Sequence, residues 1–532
     1  MVFGEEIMDI FLKRRRIVVL ALAFLLFLGK CEVKVHPSHN DLPLSSDPSG
    51  GVYLYSMHTS YKSTGATKKS TEFSHDGFMP SKSLHRDCNE SCQSYLQRLD
   101  AYCHQDLLNL SLQQEIAHEG SLDTRETADQ FELVHAHVMI RHGDRAPVYP
   151  YKIDSPITYE CGLTDTTLNW YGLNDFGQVL SLPPSADLKN RFLKLHPGVY
   201  RKHCSIGMLT QLGFKQLRSL GALLQTRYKT LLKNFDASKY SARDVFVHST
   251  DMRRTMRSAG AFLVGFLPNY VSVRRPVRLH VSEGTYNHEP PPGIEKIYSS
   301  CHGYYDLLDA ELKKTGYYRA DKMVFHPLLK RLCKMFHISD PSQPIVNRLF
   351  DHFMTRGCHN PKEPLPCYRD QCIDFPYALK LFNYSDWNWS HKLPYNSSLV
   401  RLLPFLRHSV LEPMKKRISD DDSEGDPFTF KFMLTLSHDD TIMMLLNAVG
   451  YRSDAWIPYA SRVVFELWRN YKLEYFVRVL YNGEVISGRT LAGKNEGAST
   501  GARELIKFEK WSDFVTTGPF RDIDTYNKVC KN

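Results

Sequence analysis

The segment Leu133-Val-His-Ala-His-Val-Met-Ile140 runs without a break into Arg141-His-Gly-Asp-Arg-Ala-Pro147. Its first half is an apolar run of strand length with no Gly or Pro inside it, so it reads as a buried β-strand. Its second half places Arg141, His142 and Arg145 at the strand's carboxyl end, where open α/β sheets bind their ligands. A solvated charge cluster is the plain alternative, and the position directly after a buried-type strand argues against it. Guanidinium forks match phosphate oxygens, so two arginines flanking a histidine make an anion pocket. A neutral imidazole in that pocket can attack phosphorus and carry the phosphoryl group covalently. Gly143 lets the turn pass close to such a substrate.

Two further segments have the same grammar. Val245-Phe-Val-His248 is a short buried-type strand leading through Ser249-Thr-Asp251 into a helix over 254–267, with Arg254 at its start. Phe428 to Leu436 is a strand ending in Ser437-His-Asp-Asp440, and a helix from Thr441 to Val449 is closed by Gly450. Thr210 caps a helix over 210–233, where Leu212, Leu217, Leu220, Leu223 and Leu224 recur at helical spacing. Val463–Trp468 and Tyr475–Leu480 read as strands, the second entering an Asn482-Gly483 hairpin turn.

Strand–loop–helix units at both ends thus enclose a less regular middle. The architecture expected is a single α/β core from 131–270 and 428–532, with a mainly helical cap, 271–427, inserted in it. The three polar clusters then gather at strand ends. His438-Asp439 supplies the proton donor that a leaving oxygen needs, and a carboxyl beside an anionic substrate has its pKa raised, which suits a general acid. Arg254 adds a third guanidinium. Together these residues describe a phosphoryl-transfer site for which no cofactor and no metal is expected. Nucleotide and zinc chemistry are disfavoured, because no Walker loop, kinase signature or HExxH occurs.

Composition narrows the class further. The 532 residues are 42% hydrophobic and 23% charged, ordinary for a soluble fold, which excludes a disordered or collagenous chain. The net charge is +9, of which residues 1–16 contribute only +1 (four basic against three acidic residues). No long Lys/Arg run occurs in the rest, so nucleic acid is not the expected partner and an anionic substrate is.

Lys13 to Arg16 precede an apolar run from Ile17 to Gly29. Thirteen residues suit a signal core or a short anchor, and the positive flank sets the orientation. No good small-residue cleavage site follows, so an uncleaved type II signal-anchor (17–30) is expected, with a cleaved signal and secretion as the alternative. Residues 1–16 are then a cytosolic tail and 31–130 a lumenal stem. The stretch 32–86, rich in Ser, Thr, His, Gly, Pro and Lys, serves as the stalk. Residues 87–130, with Tyr95, Leu96, Leu99, Leu107 and Leu108, fit a short helical prelude.

Twelve cysteines point the same way, three of them crowded at Cys358, Cys367 and Cys372. They lack the C-x-x-C spacing of zinc sites, which favours disulfides. Setting Cys31 aside leaves eleven, so at least one is free or pairs between chains. Five sequons, at Asn89, Asn109, Asn383, Asn388 and Asn396, fit a glycoprotein of the secretory pathway.

With these residues in place, the chain resembles a known family. VMIRHGDRAP is similar to the first signature of the histidine acid phosphatases, LSHDDT to their second, and STDMRRTMRSA (249–259) to the stretch that supplies their third arginine, here Arg254. The likeness spans about 131–532. It implies a phosphoglycerate mutase-like α/β core sheet flanked by helices, and a phosphohistidine route. In that route His142 is the nucleophile, Asp439 the proton donor, and Arg141, Arg145, Arg254 and His438 bind phosphate.

CHNPKEPLPCYRDQCID (358–374), FELWRN and VRVLYNGEVIS (465–487) resemble a Golgi branch of that family. Its members remove 2-O-phosphate from xylose in the glycosaminoglycan–protein linkage region of proteoglycans. The resemblance implies a lumenal phosphomonoesterase, a phosphorylated glycan substrate, and association with glycosaminoglycan-synthesising Golgi enzymes. Inositol polyphosphate, lysophospholipid or phosphoprotein substrates are the alternatives. A catalytically inactive glycan-binding relative is disfavoured, since His142 and Asp439 are both present.

Several residues carry blander readings. His135 and His137, on one face of a strand, are expected to pack. Glu466 is expected to be an ion-pair partner, and the acidic run 420–424 a solvated loop. Most of the 29 Tyr and 29 Phe belong to core or cap packing.

Overall fold

The computed structural model describes residues 89–109, 118–122, 131–148, 159–161, 180–181, 204–232, 244–268, 277–282, 289–335, 343–360, 365, 367–368, 371–419, 429–487 and 505–530. The expected tail, signal-anchor and stalk, and the acidic run 420–424, lie outside these. Among the described residues no helix is long and apolar enough to cross a membrane.

The strands in chain order are β1 (Phe131–Arg141), β2 (Leu180–Ser181), β3 (Val245–Thr250), β4 (Val277–Ser282), β5 (Cys367–Tyr368), β6 (Gln371–Cys372), β7 (Phe432–Ser437), β8 (Arg462–Asn470), β9 (Tyr475–Tyr481), β10 (Glu484–Val485) and β11 (Ile506–Lys507). Nine of them form one mixed sheet in the order β10-β9-β8-β1-β7-β3-β4-β2, with β11 on β9. β1, β7, β3, β4 and β2 run parallel, while β8 is antiparallel to β1. β5 and β6 pair separately. Helices of eight residues or more are α1 (Glu90–Cys103), α2 (Gln211–Arg227), α3 (Arg253–Phe266), α4 (Tyr304–Lys314), α5 (His326–Met335), α6 (Gln343–His359), α7 (Phe375–His391), α8 (Tyr395–Phe405), α9 (Glu412–Ser419), α10 (Asp439–Ala448), α11 (Phe508–Thr516) and α12 (Ile523–Cys530).

β1 is buried along nearly its whole length because it has helices on both faces. Val138 and Ile140 pack with α2 and α3 residues such as Leu217, Leu220, Phe262 and Phe266. Met139, pointing the other way, joins Leu402, Phe405, Ile442 and Leu445 of α8 and α10. The α/β architecture is therefore as the sequence implied, with the expected helix caps. Thr210 accepts from the Gly213 amide at 3.1 Å, and Asn482 and Gly483 take positive φ at the hairpin.

Two domain boundaries need correction. The expected stem, 31–130, runs too far: α1 buries Tyr95, Leu96, Leu99 and Tyr102 in the same core as the helices of the head. An apolar stripe on one helix face must find a partner, and this one finds it among α6 and α7 residues such as Phe350, Met354 and Phe382. The cap likewise begins too early at 271, since β4 is a strand of the main sheet beside β3. The cap helices share one continuous core with β8, β9 and α10, so they pack as part of the head.

Disulfides join Cys103–Cys358, Cys161–Cys204 and Cys301–Cys530, and Cys92 and Cys372 are also disulfide-bonded. Cys333 is a buried thiol. Of the sequons, Asn89, Asn109 and Asn383 are exposed, and Asn89 caps α1 through Oδ1, which leaves Nδ2 open to modification. Asn396 is half-buried and donates to Glu311 at 2.9 Å. Asn388 contradicts its expected role as a glycan acceptor. It is 1% exposed and its carboxamide oxygen accepts from the Tyr317 hydroxyl, so a glycan cannot be accommodated there in the folded chain.

Candidate active site

β1, β7 and β3 are adjacent and parallel, so the three polar clusters expected at strand ends do converge. Arg141 is level with Ser437 across β1 and β7, which sets His142 beside His438, their rings 5.5 Å apart. The loop after β1 is laid against the start of α2. Ala146 donates to Met208 O at 2.9 Å and Thr210 to Asp144 O at 3.0 Å. Gly143 is needed here for a different reason than expected: a Cβ on it would stand 2.5 Å from the Gly213 carbonyl oxygen of α2. The close approach is to a helix backbone.

His142 is buried, and its Nδ1 lies 2.8 Å from the carbonyl of Gly143. A carbonyl only accepts, so Nδ1 carries the proton and Nε2 keeps its lone pair. Burial, with Arg254, Arg141 and Arg145 nearby, holds the ring well below the ordinary imidazole value. It is neutral and nucleophilic at Nε2.

Arg141 is fully buried. It donates to Ile457 O, to the Tyr102 hydroxyl at 3.2 Å, and to Asp439 Oδ2 at 3.0 Å. Its guanidinium also lies 4.3 Å from the centre of the Tyr459 ring. Arg145 pairs with Asp351 at 2.7 Å. In Arg141, Arg145 and Arg254 alike, the Nε–H is buried without a protein acceptor.

Arg254 Nη2 donates to His438 Nδ1 at 3.2 Å, which leaves His438 Nε2–H to donate to Thr250 Oγ1 at 3.0 Å. Thr250 in turn bonds Thr255 at 2.8 Å. Both ring nitrogens of His438 are thus engaged by the protein. Through Nδ1, His438 holds Arg254.

Asp439 opens α10 and accepts from the Asp440 amide, from Trp456 Nε1 at 3.0 Å and from Arg141. Burial alone would raise its pKa, but Arg141, Arg145 and His438 prevail and hold it at about 2. The expected upward shift is therefore reversed, because its nearest charges are guanidiniums.

Sequence reasoning missed Tyr102, Asp144, Asp351, His359, Trp456 and Tyr459. His359 Nε2 meets Asp144 Oδ2 at 2.5 Å inside the loop. Lys392, its amine 3.1 Å from the centre of the Trp389 ring, has its pKa lowered by burial to about 8. The bland readings of His135, His137 and Glu466 hold. The two histidines are buried and bond Phe430 O and Ser409 O. Glu466 is a buried partner of Arg478 at 2.7 Å. Among the described residues no group of three or more His, Cys, Asp or Glu is arranged to hold a metal ion.

A neutral nucleophile beside three arginines, one of them paired with a carboxyl, is apparatus for phosphoryl transfer, and the chain belongs to the histidine phosphatase superfamily (branch 2), matched over residues 132–286 and 384–482. It is a histidine acid phosphatase, a hydrolase acting on small phosphorylated substrates. The chain is 29% identical over 405 residues to 2-phosphoxylose phosphatase 1 of Homo sapiens, covering 73% of this chain and 79% of that one. It is 25% identical to the Xenopus tropicalis protein of the same name, covering 75% and 77%. Among solved structures, the Bifidobacterium longum multiple inositol polyphosphate phosphatase aligns at 14% identity with a TM-score of 0.46, covering 72% of this chain and 92% of its own.

Proposed function

We propose that the protein removes 2-O-phosphate from xylose in the glycosaminoglycan–protein linkage region. The observation that carries the chemistry is the neutral His142, its proton fixed on Nδ1 by Gly143 O, beside the guanidiniums of Arg254, Arg141 and Arg145. His142 Nε2 attacks phosphorus as the bond to the sugar oxygen breaks, and Asp439 protonates that oxygen. Water then attacks the phosphohistidine and gives a proton to the Asp439 carboxylate, releasing phosphate and restoring His142. Asp439 is ionised in the empty site. A phosphate docking on Arg141 and Arg145 neutralises the charges that keep it so, and the carboxyl gains its proton with the substrate.

The substrate assignment is supported by the similarity to the two 2-phosphoxylose phosphatases. The setting is supported by the basic-flanked apolar run at 17–29, the disulfides and the sequons. We place the head in the Golgi lumen on a type II anchor, glycosylated at Asn89, Asn109, Asn383 and Asn396, among enzymes that build the same glycan. The test is turnover by the purified head of a phosphoxylose-bearing linkage saccharide against phytate, a lysophosphatidate, a phosphopeptide and an aryl phosphate. A kcat/KM for the linkage saccharide at least tenfold above the other natural esters supports the assignment, and preference for another overturns it.

A further inference from the structure

The family match covers 132–286 and 384–482, yet two elements outside it reach into the site. The last turn of α1 carries Tyr102, whose hydroxyl accepts from Arg141 and whose ring lies 5.4 Å from that guanidinium. α6 supplies Asp351, which pairs with Arg145 at 2.7 Å and accepts from the Val148 amide at 2.9 Å. It also supplies His359, on Asp144. The two elements are joined to each other by Cys103–Cys358, one residue beyond Tyr102 and one before His359. A fourth line runs through Gln216, which donates to Cys103 O and accepts from the Asp144 amide at 2.8 Å.

We propose that α1 and α6, stapled by the Cys103–Cys358 disulfide, form a brace that sets the separation of Arg141 and Arg145, with Tyr102 and Asp351 as its positioning residues. A buried arginine without a fixed acceptor has several rotamers open to it, and a phosphate pocket needs two of them locked. The rest of the site holds Arg141 through Ile457 O and Asp439 but gives Arg145 no carboxylate, and it leaves one side of Arg141 to be fixed from outside. Arg141 finds its hydroxyl partner on α1, and Arg145 its carboxylate on α6, at sequence separations of 39 and 206. The disulfide converts two separate contacts into one rigid distance. Reducing it frees the end of α1 from α6 and loosens both arginines together.

The inference rests on reading residues 141–145 as the phosphate site, and the experiment separates the two. Steady-state kinetics on an aryl phosphate, with the inhibition constants of inorganic phosphate and vanadate, are measured for the disulfide-intact chain. The same is done for Tyr102→Phe, Asp351→Asn and the Cys103→Ala/Cys358→Ala pair. The Cys301→Ala/Cys530→Ala pair removes a disulfide away from the loop and serves as control. A lost bond to a charged group is worth about tenfold. KM and both inhibition constants should therefore rise about tenfold in Tyr102→Phe and Asp351→Asn, with kcat falling less than KM rises. The Cys103/Cys358 pair should follow them and the control should not. If the pair fails to fold, the two conservative variants decide, because they keep the disulfide and the side-chain shapes. Phosphate and vanadate affinity within twofold of the parent in both overturns the brace while leaving the phosphatase reading intact. A parent chain that neither hydrolyses the ester nor binds phosphate overturns that reading.

Discussion

The indole N–H of Trp456 donates at 3.0 Å to Oδ2 of Asp439, the same oxygen that Arg141 reaches. The carboxylate is thus held ionised by a neutral donor as well as by charge. Trp456→Phe keeps an aromatic side chain and removes the donor. A hydrogen bond to a charged group is worth about 1.5–3 kcal/mol, or roughly one to two pH units. The carboxyl should titrate higher, so that kcat on a sugar phosphate persists to higher pH by about that interval. A descending limb that stays in place or moves to lower pH counts against Asp439 as the proton donor.

His142→Ala should abolish turnover of every phosphate ester, because His438, the histidine next to it, has both ring nitrogens engaged by the protein. Rapid quench with labelled substrate should trap an acid-labile phosphoenzyme in the parent and none in the variant. Residual activity above a few per cent would remove His142 from the role.

Asp439→Asn should separate esters by leaving group. A sugar hydroxyl needs a proton as it departs, and general acid catalysis contributes on the order of 10²–10⁴-fold. An activated aryl oxide departs without one, so its burst of product should survive the substitution. Equal losses on both ester types would assign Asp439 to orienting Arg141 instead.

Gly213→Ala tests how the loop after β1 is seated. The added Cβ would stand 2.2 Å from Asp144 O and 2.7 Å from its N, both backbone atoms. Neither can swing away, so the cost should exceed about 2 kcal/mol, and kcat/KM should fall further than thermal stability explains. A variant with the parent's Tm and kcat/KM would show that α2 does not fix the loop.

The Asp144–His359 pair predicts a pH dependence of stability. Burial presses the His359 pKa down, but the Asp144 carboxylate outweighs it and holds the ring above its ordinary 6.5. A raised folded value means that the contribution is complete below about pH 6.5 and lost as pH climbs through that value. The parent should lose more Tm between pH 6 and pH 8.5 than His359→Gln does. Parallel slopes for the two proteins would place the ring outside any ion pair.

Much of this site was legible because its parts are local. β1, β3 and β7 are apolar runs that end abruptly in charge, and the chemistry sits in those endings, so Arg141, His142, Arg145, Arg254 and Asp439 could be named from spacing alone. Tyr102, Asp351 and His359 could not be found that way. Each acts through one contact across a long sequence separation, with nothing in its neighbourhood to distinguish it from a packing residue. α1 was misread as stem for the same reason: its apolar stripe is plain in Tyr95, Leu96 and Leu99, but its partners lie in α6 and α7. Asn388 shows the converse. A sequon is legible as local chemistry, whereas burial by Tyr317 is a property of the finished fold.

The placement of β1 between β7 and β8 also governs how the chain is made. Both neighbours are encoded near the far end, at 432–437 and 462–470, so this apolar strand leaves the ribosome about 290 residues ahead of its first sheet partner. At 5–20 residues per second that interval is on the order of 15–60 s. Throughout it this buried strand has unsatisfied edges on both sides, the condition under which strands pair with the wrong chain. Truncation before residue 432 should yield aggregate rather than a stable amino-terminal half.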